Sequence, residues 1–286
     1  MSSFTVSPMS QDFKLEPGKL YRGTISIAVP ANATSDFRYR AMVTPYSVIG
    51  VEYKADLVTM SDMSQIANWI TIEEPTGVIK PNETKELGFM IKVPETAPAG
   101  GQYATIAVSS NDFVSETGAV TMQDVFEIAS VLYADVAGET VHSGEILENN
   151  VPGFVAEGAP VVSAMIRNTG NVHDLATVTI LAKNALTGQV MYPVADKDTG
   201  EFTELIMPGT KRFVTREITG LPTLGIVEIT QDVSFLGQVS PNTKVVIFCP
   251  IWFLVLVGLT LAAIIGVIWW KIAKRHKLKH IVLDKN

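Results

Sequence analysis

Short segments in which apolar and polar residues alternate run through the first 244 residues of the chain. Ile25, Ile27 and Val29 alternate with small or polar residues, and residues 86–93 repeat the pattern. A period of two is typical of antiparallel strands that face a core on one side and water on the other. The alternation predicts an all-β fold, in which Asp62 to Trp69 forms at most one helical turn.

Turn residues divide this β-rich part into two domains of roughly 100 residues each, the size of immunoglobulin-like sandwiches. We expect one immunoglobulin-like β-sandwich over residues 1–137 and a second over residues 151–240. The polar stretch 138–150 is expected to connect them. Further strands are predicted at Ile128 to Val136, Val161 to Ile166, Ala176 to Leu181, Phe213 to Ile218 and Gly225 to Phe235.

A run of 26 uncharged residues extends from Val245 to Trp270. About 20 apolar residues suffice for a helix to cross ~30 Å of hydrocarbon, and a buried helix of a soluble protein rarely needs so long a run. Trp252 at one end and Trp269 with Trp270 at the other are spaced to lie at the two membrane interfaces. The run predicts one transmembrane helix over residues 245–270, with the lipid bilayer as its partner.

Small residues recur at every fourth position of this run, at Gly258, Ala262 and Gly266. Such a stripe permits close approach of a second helix, because no bulky side chain separates the two backbones. Glycine and alanine are also common in membrane helices that face lipid. The pattern therefore predicts either helix–helix association or a stripe with no partner.

The tail after the run, residues 271–286, carries six basic side chains and one acidic one. The positive-inside rule places this tail in the cytoplasm and the N-terminal domains outside, with Lys271, Lys274 and Arg275 as anchors at the inner interface. The first residues lack the features of a signal peptide. Either a leader has been removed before Met1, or the protein is tail-anchored with its bulk in the cytoplasm; the charge distribution favours the first.

Composition excludes several classes of protein. The formal net charge of -7 and a pI near 5.2 argue against binding to nucleic acid, which depends on basic side chains. The single cysteine, Cys249, excludes an intramolecular disulfide and a cysteine-ligated zinc module. Apolar residues make up 47% of the chain and charged residues 18%, so a packed core rather than disorder is expected.

Side chains with catalytic or metal-binding chemistry are few, and we expect neither a cofactor nor a catalytic or metal site. His142 and His173 lie in polar sequences typical of surface loops, while His276 and His280 belong to the basic tail. Motifs for nucleophilic or metal-assisted catalysis are absent from the sequence.

A few side chains leave two interpretations open. Asp196 and Asp198 begin a sequence that fits a hairpin turn better than a calcium loop. Trp69 either packs in the core or stacks on a sugar. Glu73 and Glu74 are expected to be solvated. The acceptor sequences at Asn32 and Asn82 would matter only in a eukaryotic secretory pathway.

Several motifs resemble those of a known family. They are FTVSP at Phe4 to Pro8, LEPG at Leu15 to Gly18, the stretch from Trp69 to Val108 with its VP and AGGQY sequences, NTGNVHDLA at Asn168 to Ala176, MPGTKRFV at Met207 to Val214 and LPTLGIVEI at Leu221 to Ile229. Together with the terminal helix and basic tail, this layout is similar to the WxL-interacting proteins of Gram-positive bacteria. The first domain also faintly resembles periplasmic pilus chaperones, which are soluble.

The resemblance implies a role in cell-envelope attachment. The first expectation is a non-enzymatic, single-pass bacterial membrane protein that binds a surface protein, a wall polymer or a host molecule in adhesion or scaffolding. The alternative is an accessory or chaperone-like subunit of an envelope secretion or surface-appendage assembly machine; a wall polysaccharide hydrolase is a third. Loop positions suggest binding by Thr44 to Asp56, Glu95 to Gln102 or Tyr192 to Phe202.

Overall fold

A computed structural model describes residues 4–110, 127–193 and 199–283, with side chains described as far as residue 272. Contacts divide the chain into two compact units. The first unit comprises Met1–Leu147, Met165–Ala176 and Leu205–Phe213. The second comprises Glu148–Ala164, Thr177–Glu204 and Val214–Asn286.

Eleven strands precede residue 138 in the described part of the chain. They are β1 (Thr5–Ser7), β2 (Ser10–Leu15), β3 (Leu20–Ala28), β4 (Phe37–Pro45), β5 (Ser47–Ile49), β6 (Lys54–Asp56), β7 (Ile70–Ile72), β8 (Thr76–Ile79), β9 (Thr84–Lys92), β10 (Gly100–Ser110) and β11 (Glu127–Val136). One sheet has the order β1-β3-β9-β7 and another the order β2-β11-β10-β4-β8, while β5 and β6 form a hairpin. A single 3-10 turn at Gln65–Asn68 lies inside the segment expected to form one helical turn.

Alternation decides which faces of these strands meet. On β3 and β9 the buried residues Ile25 and Leu87 are register partners, so both point into the same core. Gly23 lies opposite Phe89, and a Cβ on this glycine would come within 2.2 Å of the ring. The missing side chain lets the phenylalanine ring lie flat over the strand, which accounts for glycine inside a β-strand.

Nine more strands and one helix follow among the described residues from 138 onward. They are β12 (Gly144–Asn150), β13 (Phe154–Val155), β14 (Val161–Asn168), β15 (Asp174–Asn184), β16 (Val190–Tyr192), β17 (Glu201–Ile206), β18 (Lys211–Glu217), β19 (Gly225–Phe235), β20 (Gln238–Phe248) and α1 (Ile251–Leu283). One sheet has the order β12-β14-β18; the other has the order β13-β20-β19-β15-β16, with β17 also paired to β15. The predicted all-β architecture of two sandwiches and one terminal helix is confirmed.

Two boundaries differ from the expectation. The helix begins at Ile251, not at Val245, because Val245 to Phe248 complete β20 and extend the second β-rich domain past residue 240. The amides of Phe253 and Leu254 donate to the carbonyl of Pro250, at 2.9 and 3.3 Å, and so open the helix. Pro250 therefore precedes the first turn.

The expected connector over residues 138–150 also contains ordered structure. Its second half is strand β12, an edge strand of the three-stranded sheet. This strand has no buried apolar position, so its sequence lacks the alternation that reveals the other strands. Polar contacts hold it instead, including the ion pair between Glu145 and Arg167.

Candidate functional site

The first candidate site is the terminal helix. Its segment Ile251–Ile272 is 22 residues long, is apolar enough to cross a membrane, and is not buried anywhere within the described protein. Trp252 and Trp269 project from opposite ends of this segment and are exposed. Lys271 is exposed beside the second tryptophan, and Lys274 and Arg275 continue in the same helix.

The stripe of small residues is open along this helix. A Cβ added at Gly258 or Gly266 would meet nothing within 4 Å in the described protein, and Ala262 is exposed. The stripe is therefore free for a second helix or for lipid. Helix association through it stays a prediction.

The second candidate site lies in the first unit and is rich in tyrosine. We call it the tyrosine cluster; its members are Tyr46, Tyr53, Tyr103, Tyr133, His173 and Arg212. The strands β10 and β11 place Tyr103 and Tyr133 as register partners. The loop after β4 supplies Tyr46, and the β5–β6 turn supplies Tyr53, in a left-handed conformation with φ of 58°.

Ring contacts join these side chains. The Tyr133 ring lies 6.0 Å from Tyr103, 6.3 Å from Tyr46 and 5.4 Å from His173, measured between centroids. The two tyrosine pairs meet edge to face, an arrangement that the ring quadrupoles favour. The Arg212 guanidinium lies 4.6 Å from the centre of the Tyr53 ring, within the range of a cation–π contact.

Hydrogen bonds fix the cluster in place. The Tyr103 hydroxyl accepts the His173 backbone N–H at 3.1 Å and lies 3.2 Å from Nδ1 of the same residue. The Tyr53 hydroxyl accepts the Met207 N–H at 2.8 Å and contacts the Thr210 hydroxyl. The cluster therefore ties the chain segments 165–176 and 205–213 to the β-strands of their own unit.

Burial determines the chemistry of these hydroxyls. It raises the pKa of Tyr53, Tyr103 and Tyr133 above the ordinary value of 10.0. These phenols are therefore neutral at physiological pH and serve as hydrogen-bond donors and acceptors, not as bases or nucleophiles. Tyr103 is fully buried, whereas Tyr46, Tyr53 and Tyr133 keep part of their surface in solvent. The arrangement suits recognition of a partner.

The histidines differ from each other in their surroundings. His142 is largely exposed, and its Nδ1 lies 2.8 Å from an Asp174 carboxylate oxygen, as befits a loop histidine. His173 also lies in a loop, just before β15, but it is half-buried and its ring contacts Tyr103 in the tyrosine cluster. The side chains of His276 and His280 lie outside the described residues.

The structure decides between some of the alternative roles left open by the sequence. Trp69 packs half-buried against the core of the first unit, which favours the core interpretation over sugar stacking. Glu74 pairs with Lys85 at 2.6 Å on the surface. Asp196 and Asp198 fall outside the described residues, and elsewhere in the described chain no group of three His, Cys, Asp or Glu side chains could hold a metal.

The three loops suggested for binding have different structural roles. Thr44 to Asp56 forms the β5–β6 hairpin and supplies Tyr46 and Tyr53 to the tyrosine cluster. Glu95 to Gln102 leads into β10, where buried Gln102 donates to the Asp62 carbonyl at 2.7 Å. Within the third loop, Tyr192 to Phe202, residues 194–198 lie outside the described residues.

The comparisons with known proteins give distant likenesses only. No family model matches the chain, and no curated protein matches it. The class 5 fimbriae chaperone CfaA is 12% identical, with a TM-score of 0.40 over 85% of this chain and 99% of the other. The SafB chaperone of Salmonella enterica, solved with the SafA pilin, is 12% identical, with a TM-score of 0.41 over 86% of this chain and 97% of the other. Likenesses this distant assign no function to the chain, and membership of the WxL-interacting family stays a prediction.

Proposed function

We propose that this chain is a single-pass protein of a bacterial cell envelope, whose two β-rich units bind another envelope protein without catalysing a reaction. The observation that carries the proposal is the 22-residue apolar helix, unburied by the described protein, that follows directly on the last strand. The resemblance of its motifs to those of WxL-interacting proteins supports the envelope context. A wall polymer or a host molecule is the other class of ligand that the same resemblance implies.

Solvation physics favours a membrane around the helix. Large apolar side chains are exposed along the helix outside the small-residue stripe, including Leu254, Leu259 and Ile265, each about half exposed or more. An apolar surface of this extent is not stable in water, since each buried aliphatic side chain gains roughly 1.5–3 kcal/mol. A bilayer removes the entire surface from water at once. The six basic residues that follow the apolar run, within residues 271–286, orient the β-rich units outward.

The tyrosine cluster is the binding surface that we propose for the partner protein. Tyrosine and arginine dominate binding energy at protein interfaces, because they bury large area while keeping a polar tip. Here the hydrogen bonds to Tyr53 and the ring contacts of Tyr133 hold the side chains in place before a partner arrives. A preorganised surface of this kind loses little conformational entropy on binding.

Protease accessibility in intact cells tests the orientation. With the wall removed, external protease should digest the β-rich units and spare an epitope placed on residues 271–286. Digestion of the epitope with protection of the β-rich units would contradict the proposed orientation and support tail anchoring.

Crosslinking followed by purification from envelopes tests the binding surface. Tyr46→Ala and Tyr133→Ala should each reduce recovery of the crosslinked partner at least fivefold, because truncation of an interface tyrosine removes its buried area. Tyr21→Ala is the matched control, since Tyr21 is a half-buried tyrosine of the same unit outside the cluster. Equal losses for all three variants would contradict the assignment of the site.

A second candidate function is that of an accessory subunit that captures exported β-rich proteins by strand addition. The edge strand β18 favours it. The Asn168 N–H donates to the carbonyl of Thr210, the residue just before β18. The backbone N–H and C=O groups of the even-numbered residues of β18 therefore point toward β14. Among the odd-numbered residues, Phe213 already donates its N–H to the Val51 carbonyl at 2.7 Å, whereas Thr215 and Glu217 direct their backbone groups away from the sheet. An outward edge of this kind is what strand addition needs.

Proline substitution separates the two candidates. Thr215→Pro removes an outward N–H while leaving the ladder to β14 intact, so it should abolish capture by strand addition. Thr215→Val keeps the N–H and should have no effect. Full binding by the proline variant would exclude the strand-addition function and leave the tyrosine cluster as the candidate.

A further inference from the structure

An apolar surface lies at the end of the second unit from which the helix departs. We call it the helix-proximal patch; its members are Phe154, Leu186, Leu224, Ile226, Val245 and Ile247, each at least 40% exposed. Ile247 on β20 is the register partner of both Phe154 on β13 and Ile226 on β19. These three side chains therefore project from the same face of the sheet, side by side.

The same face becomes less apolar over the next residues from the helix, and Val239 near the far end of β20 is an isolated exposed valine. Next to the apolar pair come Glu228 and Val245, and then Thr230 and Thr243, whose hydroxyls are 3.0 Å apart. The step from Ile247 to Thr243 is four residues, or about 13 Å along a strand. Apolar character on the outer face is thus strongest beside the helix.

Hydrogen bonds fix how close the patch is to the helix. The Ile247 N–H donates to the Gly153 carbonyl at 3.1 Å, and the Cys249 N–H donates to the Val155 carbonyl at 3.0 Å. The helix is opened by the carbonyl of Pro250, the very next residue. No flexible linker therefore separates the last hydrogen bond of the sheet from the first turn of the helix.

From this geometry we propose that the helix-proximal patch rests in the membrane interface, with Phe154 and Ile247 in contact with lipid. The inference depends on the proposed membrane anchoring. If the helix enters the hydrocarbon near Ile251, Ile247 lies within about 13 Å of that point even in a fully extended chain. Each interfacial zone of a bilayer is several ångströms thick, since the headgroup regions add roughly 10–15 Å to the hydrocarbon core.

Lipid, and not another protein, is the occupant that the structure favours. The patch is continuous along the chain with the segment that the proposal places in lipid, and the aromatic ring of Trp252 lies in the first turn of the helix. Aromatic and aliphatic side chains at this depth gain free energy from partial burial among the headgroups. A unit seated in this way is held against the bilayer instead of swinging on a tether.

Site-directed fluorescence on the full chain in lipid vesicles tests the proposal. With Cys249→Ser as background, single cysteines are introduced by Phe154→Cys, Leu186→Cys and Ile247→Cys and labelled with bimane. Val239→Cys is the matched control, because Val239 is an exposed residue on the same face of the same strand at 63% exposure. The quenchers are a nitroxide lipid labelled near its headgroup and aqueous iodide.

Labels at residues 154 and 247 should be quenched at least twofold more by the nitroxide lipid than the label at residue 239, and less by iodide. Quenching by iodide alone at all positions would overturn the proposal. Shielding of the patch labels from both quenchers would also overturn it, since protein would then cover the patch.

A label introduced by Ala262→Cys reports on the anchor independently. Quenching of this label by a nitroxide deep in the acyl chains shows that the helix spans the bilayer. If it is quenched while the patch labels respond only to iodide, the anchoring holds and the patch inference fails. If it is not quenched, the anchoring itself fails.

Discussion

Asn168 is a buried amide whose hydrogen bonds hold one turn of the first unit. Its Nδ2 donates to the carbonyls of Val172 at 2.8 Å and Ile206 at 2.9 Å, and its Oδ1 accepts the Gly170 N–H at 2.8 Å. The side chain is fully buried. A Cβ on Gly170 would lie 2.1 Å from the Val141 carbonyl oxygen, so the turn also requires glycine there. Asn168 and Gly170 of the NTG sequence at residues 168–170 are thus needed to form this turn.

Asn168→Ala should lower the free energy of unfolding substantially. The substitution removes three hydrogen bonds and leaves two carbonyls and one N–H without these partners. At about 1 kcal/mol of net stabilisation for each bond, the loss is about 3 kcal/mol. A loss of this size lowers the melting temperature by roughly 6–12 °C in a chain of this length.

Asn184→Ala is the matched control. Its Oδ1 accepts the N–H groups of Leu186 and Thr187 at 2.9 and 3.0 Å, but the site is exposed and water replaces the lost acceptor. We expect a loss of less than about 1 kcal/mol. Asn168→Asp tests the two hydrogen bonds that Nδ2 donates, because the carboxylate keeps the acceptor oxygen but has no N–H to donate. It should destabilise at least as much as alanine.

Thermal unfolding of the full chain in detergent micelles, followed by far-UV circular dichroism of the β signal, measures these differences. A melting temperature for Asn168→Ala no lower than that for Asn184→Ala would refute the reasoning. A wild-type melting temperature for Asn168→Asp would show that the two donated bonds contribute nothing.

Other predictions concern the tyrosine cluster, the helix and an exposed carboxylate. Tyr103→Phe should cost about 1–2 kcal/mol in a urea titration, because the part-buried His173 N–H loses its acceptor; Tyr21→Phe should cost less, because the hydrogen bond from the Glu16 N–H to its hydroxyl is exposed to water, and equal costs would count against the cluster. Replacing Gly258 and Gly266 with Ile should weaken helix association by ~1 kcal/mol per site in a transmembrane two-hybrid assay, and an unchanged signal would leave the stripe without a partner. Hydrogen bonds from the Thr59 hydroxyl and from nearby backbone N–H groups hold the pKa of Asp56 below its ordinary value. The stability that they confer is therefore present above the unfolded-state pKa and is lost as pH falls through the folded one, and an NMR midpoint at or above 3.8 would contradict this.

Alternation revealed strands wherever one face is buried and the other is wet. Residues 86–93 were predictable for this reason, since Leu87, Phe89 and Ile91 face the core and their neighbours do not. The same rule fails for β12. Its Asn149 side chain donates to the carbonyls of Gln231 and Ser240, at 3.0 and 2.5 Å, so polar bonds replace apolar burial as the force that orders this strand.

The tyrosine cluster could not be found by reading the chain locally. Tyr46, Tyr103 and Tyr133 are separated by dozens of residues, and only sheet pairing brings them together. His173 shows the same limitation, because a polar loop sequence does not reveal that a fully buried tyrosine accepts its backbone N–H. Side chains assembled from distant strands carry no local signature.

The misplaced start of the helix has an informative physical cause. On β20, Val246 and Phe248 face the core while Val245 and Ile247 face outward, so alternation is present in the structure. It is hidden in the sequence because the outward residues are also apolar. A strand that faces water normally carries polar residues at such positions, as Thr243 does earlier on β20. The polar half of the pattern is lost just before the helix, as the proposed seating of this sheet edge in the membrane interface predicts.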